Sequence, residues 1–186
     1  MAPGFMSTTV AFHQVYLVEL REWTLGIFAS AFTVFATMTI LFALISGQLI
    51  DRFSAVSVLP GFLLPLGAAC FALALFDGQW SIFLFMGLLG MSNGFSSTLM
   101  GALWPEIYGV RYLGAVRALV VAILVFATAV GPGLTGYLID FGVSYPLQIA
   151  VMGLYCFAAA FVMLMVSRRL RARALPTARA SVTSAP

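Results

Sequence analysis

Few side chains in this sequence can do chemistry, and their neighbours narrow what that chemistry is. The one histidine, His13, has Gln14 beside it and Thr9 one helical turn earlier on its face. Imidazole is the side chain whose unperturbed pKa lies near neutrality, so this trio is a candidate proton carrier or solute contact. The competing reading is a histidine near a helix end, bonded to water or a headgroup. Thr33, Thr37, Asn93, Ser96, Ser97 and Gln148 are further polar groups inside apolar stretches, where polar side chains tend to face the helix bundle or a wet cavity. Asp51 precedes Arg52 at the end of an apolar run, and Arg111 and Arg117 flank the start of a later one. A carboxylate at a helix C-terminus meets the negative end of the macrodipole, so Asp51 needs a cation or another helix's N-terminus facing it. A charged latch and a solvated loop charge are the two readings, and an exposed pair contributes only about 0–1 kcal/mol.

Other constellations lack their parts. Cys70 and Cys156 lie alone in separate apolar runs, so neither a zinc cluster nor a disulfide framework has its ligands, and no cofactor is expected. There is no serine, histidine and acid set at plausible depth, no phosphate-cradling glycine loop before a lysine and no carboxylate pair, which argues against an enzyme. All nine basic residues are arginine, five of them after Ser167. The basic balance therefore reflects a tail and not a nucleic-acid-binding face.

The elements that must position these groups are membrane helices. Of 186 residues, 62% are hydrophobic and 8% charged, against roughly 45–50% and 25% in soluble domains. Apolar stretches run from Leu25 to Ile50, Ala55 to Phe76, Trp80 to Trp104, Leu113 to Ile139 and Tyr145 to Val166. A sixth, Phe5 to Leu20, reaches only about 24 Å at ~1.5 Å per residue and reads as cut short against ~30 Å of hydrocarbon. The N-terminus has neither a basic n-region nor a small-residue cleavage pattern. Arg52, Arg111, Arg117, Arg168, Arg169, Arg171, Arg173 and Arg179 fall on one side of a six-crossing chain and Arg21 alone on the other. With six crossings both termini lie in the cytoplasm; with five, the C-terminus stays there and the N-terminus moves outside. The expectation is an all-α membrane domain over residues 1–167, followed by a basic, disordered cytoplasmic tail over 168–186.

Small residues mark where helices approach. Gly87, Gly90, Gly94, Thr98 and Gly101 recur at steps of three or four and read as a packing stripe. Gly26, Ser30, Thr33 and Thr37 do likewise, with packing and cavity lining both open. Gly131-Pro132-Gly133 removes a backbone donor and permits close approach, as a hinge or as a packing site. Arg117, one turn inside its helix, either snorkels to the interface or binds an anion.

One pattern repeats. Ser46-Gly47-Gln48-Leu49-Ile50-Asp51 resembles Thr135-Gly136-Tyr137-Leu138-Ile139-Asp140, 89 residues later. Three helices separate the copies, so a repeated triplet must be inverted across the membrane, as in one half of many secondary transporters.

The stretch from Gly47 to Arg52 also resembles the cytoplasmic G-x-L-x-D-R signature of the major facilitator superfamily, in the form between helices eight and nine. After Arg52 that pattern expects glycine and basic residues, where this chain has Phe53, Ser54, Ala55 and Val56. Phe12-His13-Gln14, Trp104-Pro105-Glu106, Leu113-Gly114-Ala115-Val116-Arg117 and Gly131 to Asp140 resemble bacterial members too, so the likeness covers residues 5–167. It implies helices seven to twelve, a bacterial inner membrane, and alternating-access transport of a small solute between two six-helix halves, with a proton as a coupling option. Gly47, Asp51, Arg52, Arg111 and Arg117 would form a cytoplasmic gate. The missing wall would come from a complementary six-helix half or a second copy. The alternative is a non-transporting membrane fragment or interaction subunit.

Overall fold

A computed structural model describes residues 2–183, with side chains for 2–24 and 26–169, and is all-helical among the described residues. The elements are α1 (Ala2–Phe12), α2 (Gln14–Leu20), α3 (Leu25–Phe53), α4 (Ala55–Val58), α5 (Leu63–Leu75), α6 (Trp80–Tyr108), α7 (Leu113–Asp140) and α8 (Tyr145–Thr183). Five stretches are long and apolar enough to cross a membrane: Gly26–Phe53, Ala55–Leu75, Trp80–Tyr108, Leu113–Asp140 and Tyr145–Arg169. Hydrocarbon offers no partner to a free N–H or C=O, so apolar runs of this length become helices whatever their glycine content. Helix α8 runs on through Thr183, across most of the stretch expected as a disordered tail, and residues 184–186 lie outside the described residues.

The sequence predicts one short first helix; the structure extends it slightly, still short of a full crossing, and breaks it in two. The helix begins at Ala2, so Ala2 to Leu20 covers nineteen residues, about 28 Å at ~1.5 Å each. It is also interrupted at His13, whose φ of −97° and ψ of 17° are not helical. The cause is local: the Thr9 carbonyl accepts both the His13 backbone N–H at 3.2 Å and the ring Nδ1 at 3.0 Å, a side-chain competition that loosens the turn. The run from Ala55 to Phe76, expected as one helix, is likewise broken around Pro60 and Gly61 into α4 and α5. Proline cannot supply the interior donor.

Helix ends follow known stop signals. Gly142, at φ +82°, lets the Val143 N–H reach back to the Leu138 carbonyl at 2.9 Å, closing α7 with a six-residue cap. The same bond closes α2, from Trp23 to Val18 at 2.9 Å, with Glu22 taking the left-handed position at φ +53°.

Packing is organised by small residues, since lipid tails give apolar helices no reason to associate beyond close fit. The most extensive interface is α3 on α6, where a Cβ on Gly90 would collide with the Phe35 carbonyl and one on Gly94 with the Thr39 carbonyl and the Ala43 nitrogen. The Gly87 to Gly101 stripe is thus a packing stripe. In the α5·α8 interface Gly67 receives Phe157 and Gly153 receives Cys70 and Phe71. α1 packs chiefly on α7, through Gly131 against Phe5 and Thr9.

Contacts between ends sort the loops into two groups. Glu106 Oε2 accepts the Ala55 N–H at 2.8 Å and Ser167 Oγ donates to the Val56 carbonyl at 2.6 Å. These bonds put the α3–α4 junction, the α6 C-terminus and residue 167 at one end, with Arg52, Arg111, Arg117, Arg168 and Arg169. At the opposite end the loop after α2 meets the loop after α5. Arg21 donates to the Leu73 carbonyl at 2.7 Å and to the Phe76 carbonyl, pairs with Asp77 at 3.2 Å, and lies 5.4 Å from the Trp23 ring.

Candidate functional site

Three of the sequence candidates meet where α1, α7 and α8 converge. Thr9 is fully buried and its hydroxyl has no partner; it presses on Gly131 of α7. His13 Nδ1 faces the Thr9 carbonyl, which can only accept, so Nδ1 is the donor of that bond and Nε2 is the ring nitrogen left for another partner. Nε2 points toward Gly136, 3.8 Å from where a Cβ would stand. The ring stacks on Tyr145 at a centroid distance of 5.7 Å and an interplanar angle of 29°, and Tyr16 meets the same tyrosine edge-on at 5.9 Å. One turn along α8, Gln148 is 5% exposed; its Nε2 donates to the Val143 carbonyl at 3.0 Å, while Oε1 accepts nothing. The Tyr145 hydroxyl is also buried without a partner. Three unpaired buried polar groups in one neighbourhood carry a desolvation cost of about 1–3 kcal/mol each, which a bound water or solute would relieve.

Two cavities flank α1. The larger, about 600 Å³ between α1, α7 and α8, is almost wholly apolar, with Thr135 and Gln148 as its polar lining. The smaller, about 370 Å³ between α1, α3 and α6, is lined by Ser7, Thr8, Phe12, Phe32 and Phe35 among others. Both volumes fall in the range that holds small solutes. The hydroxyls of Ser7 and Thr8 bond back to the Gly4 carbonyl at 3.0 and 2.8 Å, leaving oxygen lone pairs free.

The remaining candidates are dispersed. Gln14 is half-buried at the start of α2. Thr33 and Thr37 lie exposed on α3, with Thr37 Oγ1 bonded to the Thr33 carbonyl at 2.8 Å. Asn93 is half-buried on α6, and Ser97 is exposed and bonds to the Gly94 carbonyl at 2.8 Å. Pro132 sits inside an unbroken α7, and Gly133 is exposed with open space beside it.

The gate residues share one end of the molecule without forming an ion pair there. Asp51 and Arg52 are exposed, Arg52 and Arg111 lie over the adjacent Phe53 and Tyr112 rings, and Arg117 donates to the Gly101 carbonyl at 3.4 Å. A Cβ on Gly47 would meet the Thr98 methyl at an ordinary 4.0 Å. The one salt bridge among the described residues is Arg21–Asp77, at the other end. Burial lowers the Arg21 pKa and Asp77 opposes that shift.

Sequence reasoning passed over Tyr145, Tyr16, Ser7, Thr8 and Ser92, the last a buried hydroxyl donating to the Phe62 carbonyl at 2.5 Å. Tyr145 had a visible signal, since it precedes Gln148 by three residues and so shares its face. No group of three His, Cys, Asp or Glu that could hold a metal occurs among the described residues.

A family model described as Major Facilitator Superfamily matches residues 1–185. No curated protein and no solved structure matches the chain. With five membrane-crossing stretches in an all-helical fold and a family match along nearly its whole length, this chain belongs to the major facilitator superfamily, a family of transporters, and is an integral membrane protein.

Proposed function

We propose that this chain is one wall of a secondary active carrier that moves a small solute by alternating access, with a complementary six-helix half opposite it. The observation that carries this reading is which helices lack neighbours. None of the apolar window of α7 and 11% of that of α3 is buried, against half for both Ala55–Leu75 and α6. The exposed surface of α3 includes Gly26, Ser30, Thr33 and Thr37, and that of α7 includes Ala115, Ala118, Ala122, Ala129 and Gly133. Small residues gain nothing from lipid and permit close helix approach, so these are faces suited to another helix.

Helices α3 and α7 are also the two that carry the 89-residue repeat, and this supports two inverted three-helix units. Thr9 and Thr98 are separated by the same 89 residues. Thr98 Oγ1 donates to the Ala43 carbonyl beside Gly47, and Thr9 sits against Gly131, a turn from Gly136. Exchanging the two triplets thus turns the α6·α3 interface into the α1·α7 interface.

In this reading the groove lined by Ser7, Thr8 and Phe12 faces the solute path. The arginine-rich end is cytoplasmic, in the inner membrane of a bacterium, and Asp51, Arg52, Arg111 and Arg117 pair only when that end closes. His13 is the residue suited to couple a proton, because its ring stacks on Tyr145, whose buried hydroxyl has no partner, and its Nε2 faces Gly136 of α7. Accessibility tests the reading. In native membranes a Thr8→Cys variant should react with a membrane-impermeant maleimide, at a rate that changes when a pH gradient is imposed. Leu154→Cys, on the outer face of α8, should stay inert. Cys70 and Cys156 are buried and give no background. A Thr8→Cys variant as inert as Leu154→Cys would overturn the proposal.

A further inference from the structure

Three sulfur atoms from three helices meet in the core, although their residues lie far apart in sequence. Met6 of α1, Cys70 of α5 and Cys156 of α8 are 2%, 1% and 0% exposed. Both thiols are aimed at the same thioether: Cys70 Sγ lies 3.4 Å and Cys156 Sγ 3.9 Å from Met6 Sδ. We propose that this cluster is a binding site for a soft monovalent cation, Cu(I) or Ag(I), held by two cysteine sulfurs and one thioether.

Three arguments converge on that class of ligand. Thiolate and thioether sulfur select Cu(I) over the hard divalent ions, which take oxygen, and among the described residues no third histidine, cysteine or carboxylate joins the two cysteines to complete a zinc set. The size fits as well: a trigonal centre with metal–sulfur bonds of about 2.3 Å has sulfur–sulfur edges of about 4.0 Å. Of the two edges here, 3.9 Å already matches and 3.4 Å must widen by about half an ångström. Charge balance also favours a monovalent ion, because an uncompensated charge in an apolar core is very costly. One thiol exchanges its proton for the cation, M⁺ + RSH → M–SR + H⁺, while the second thiol and the thioether remain neutral donors and the proton passes to the buffer. The site is neutral before and after. Once filled, it would join α1 to the α5–α8 pair, against which α1 otherwise packs little.

Silver(I), which does not change oxidation state, is the probe. Purified protein in detergent should bind one Ag⁺ per chain with three sulfur neighbours by X-ray absorption, and the midpoint of thermal unfolding should rise as the cation is added, since a ligand of the native state stabilises it. Met6→Leu, which conserves volume and keeps both thiols, should weaken binding at least about tenfold. Cys70→Ala with Cys156→Ala should abolish it. Binding unchanged in Met6→Leu, or a shell containing nitrogen or oxygen, would overturn the proposal. The absorption measurement on unsubstituted protein decides even if the double variant fails to fold.

Discussion

Replacing Gly94 with alanine adds one methyl group at the point where α3 and α6 come closest, and the geometry fixes what that methyl meets. Its neighbours are the Thr39 carbonyl and the Ala43 nitrogen. Both are backbone atoms inside α3, so no side-chain rotation makes room and the helices must separate. Overpacking of this kind costs about 1–3 kcal/mol, and the rigid neighbour puts this site at about 3. Alanine returns about 1 kcal/mol of helix propensity, leaving a net loss of about 2. For a chain of this size that is about 4–8 °C in the unfolding midpoint. The buried thiols of Cys70 and Cys156 supply the assay, because a fluorogenic maleimide reacts with them only as the core opens. Gly87→Ala is the matched control: its methyl would meet Val34 Cγ1 at 3.6 Å, an ordinary contact, and should leave the midpoint unchanged or slightly raised. If Gly94→Ala unfolds at the same temperature as Gly87→Ala, the close approach of α3 and α6 is not what holds them together, and the packing argument fails.

Five further substitutions probe individual side-chain contacts. Arg21→Ala should cost about 2 kcal/mol, since it strips the Leu73 and Phe76 carbonyls at the α5 C-terminus of a charged donor, whereas Asp77→Asn should cost no more than about 1, because the Asp77 side chain is 91% exposed; equal losses in a thermal melt would contradict this division. Ser92→Ala should lower stability by about 1 kcal/mol by orphaning the Phe62 carbonyl beside the Pro60 break, read as a lower unfolding midpoint without loss of helical circular dichroism. At the arginine-rich end, Glu106→Ala should destabilise by about 1–2 kcal/mol through loss of the Ala55 cap, while Asp51→Asn should be neutral in the same melt because Asp51 is exposed and outside any ion pair among the described residues.

The contrast between Glu106 and Asp51 shows what the sequence could reveal. Long apolar runs gave the five membrane-crossing stretches, because hydrocarbon leaves a backbone no other option. The Gly87 to Gly101 stripe announced a close interface, because spacing of three and four residues fixes a face. Asp51 drew attention through its neighbours in sequence, yet the carboxylate that caps a helix at that end is Glu106, 51 residues from Ala55. Arg21 entered the sequence argument as one charge in a count, and its partners at residues 73 to 77 become visible only once α5 folds back. The break at His13 was hidden for another reason: it depends on the ring reaching the Thr9 carbonyl, a competition that periodicity does not register. Thr9, His13 and Gln148 were each found by type, but Tyr145, which stacks on His13 one turn from Gln148, entered only as the first residue of an apolar stretch.

These bonds also bear on which parts of the chain move together. Close contacts join α3 to α6 and α5 to α8, Glu106 and Ser167 tie α4 to α6 and to α8 at one end, and Arg21 ties the α2–α3 loop to α5 at the other. Helices α3 to α6 and α8 are therefore cross-linked at both ends and along their length, which favours motion as one body, as rocking of one bundle against another requires. The α1–α7 pair is held differently, through Gly131 and the cluster around His13, and α7 packs only sparsely on α6 and α8. Hydrogen exchange should accordingly separate the two groups, with amides of α7 exchanging well before those of α6. Supplying the complementary half should protect α7 most, because its apolar window is the one left wholly unburied. Uniform protection of α6 and α7 in the isolated chain would mean that α7 is held by contacts other than these, and the exposed face of α7 would lose its standing as the surface awaiting a partner.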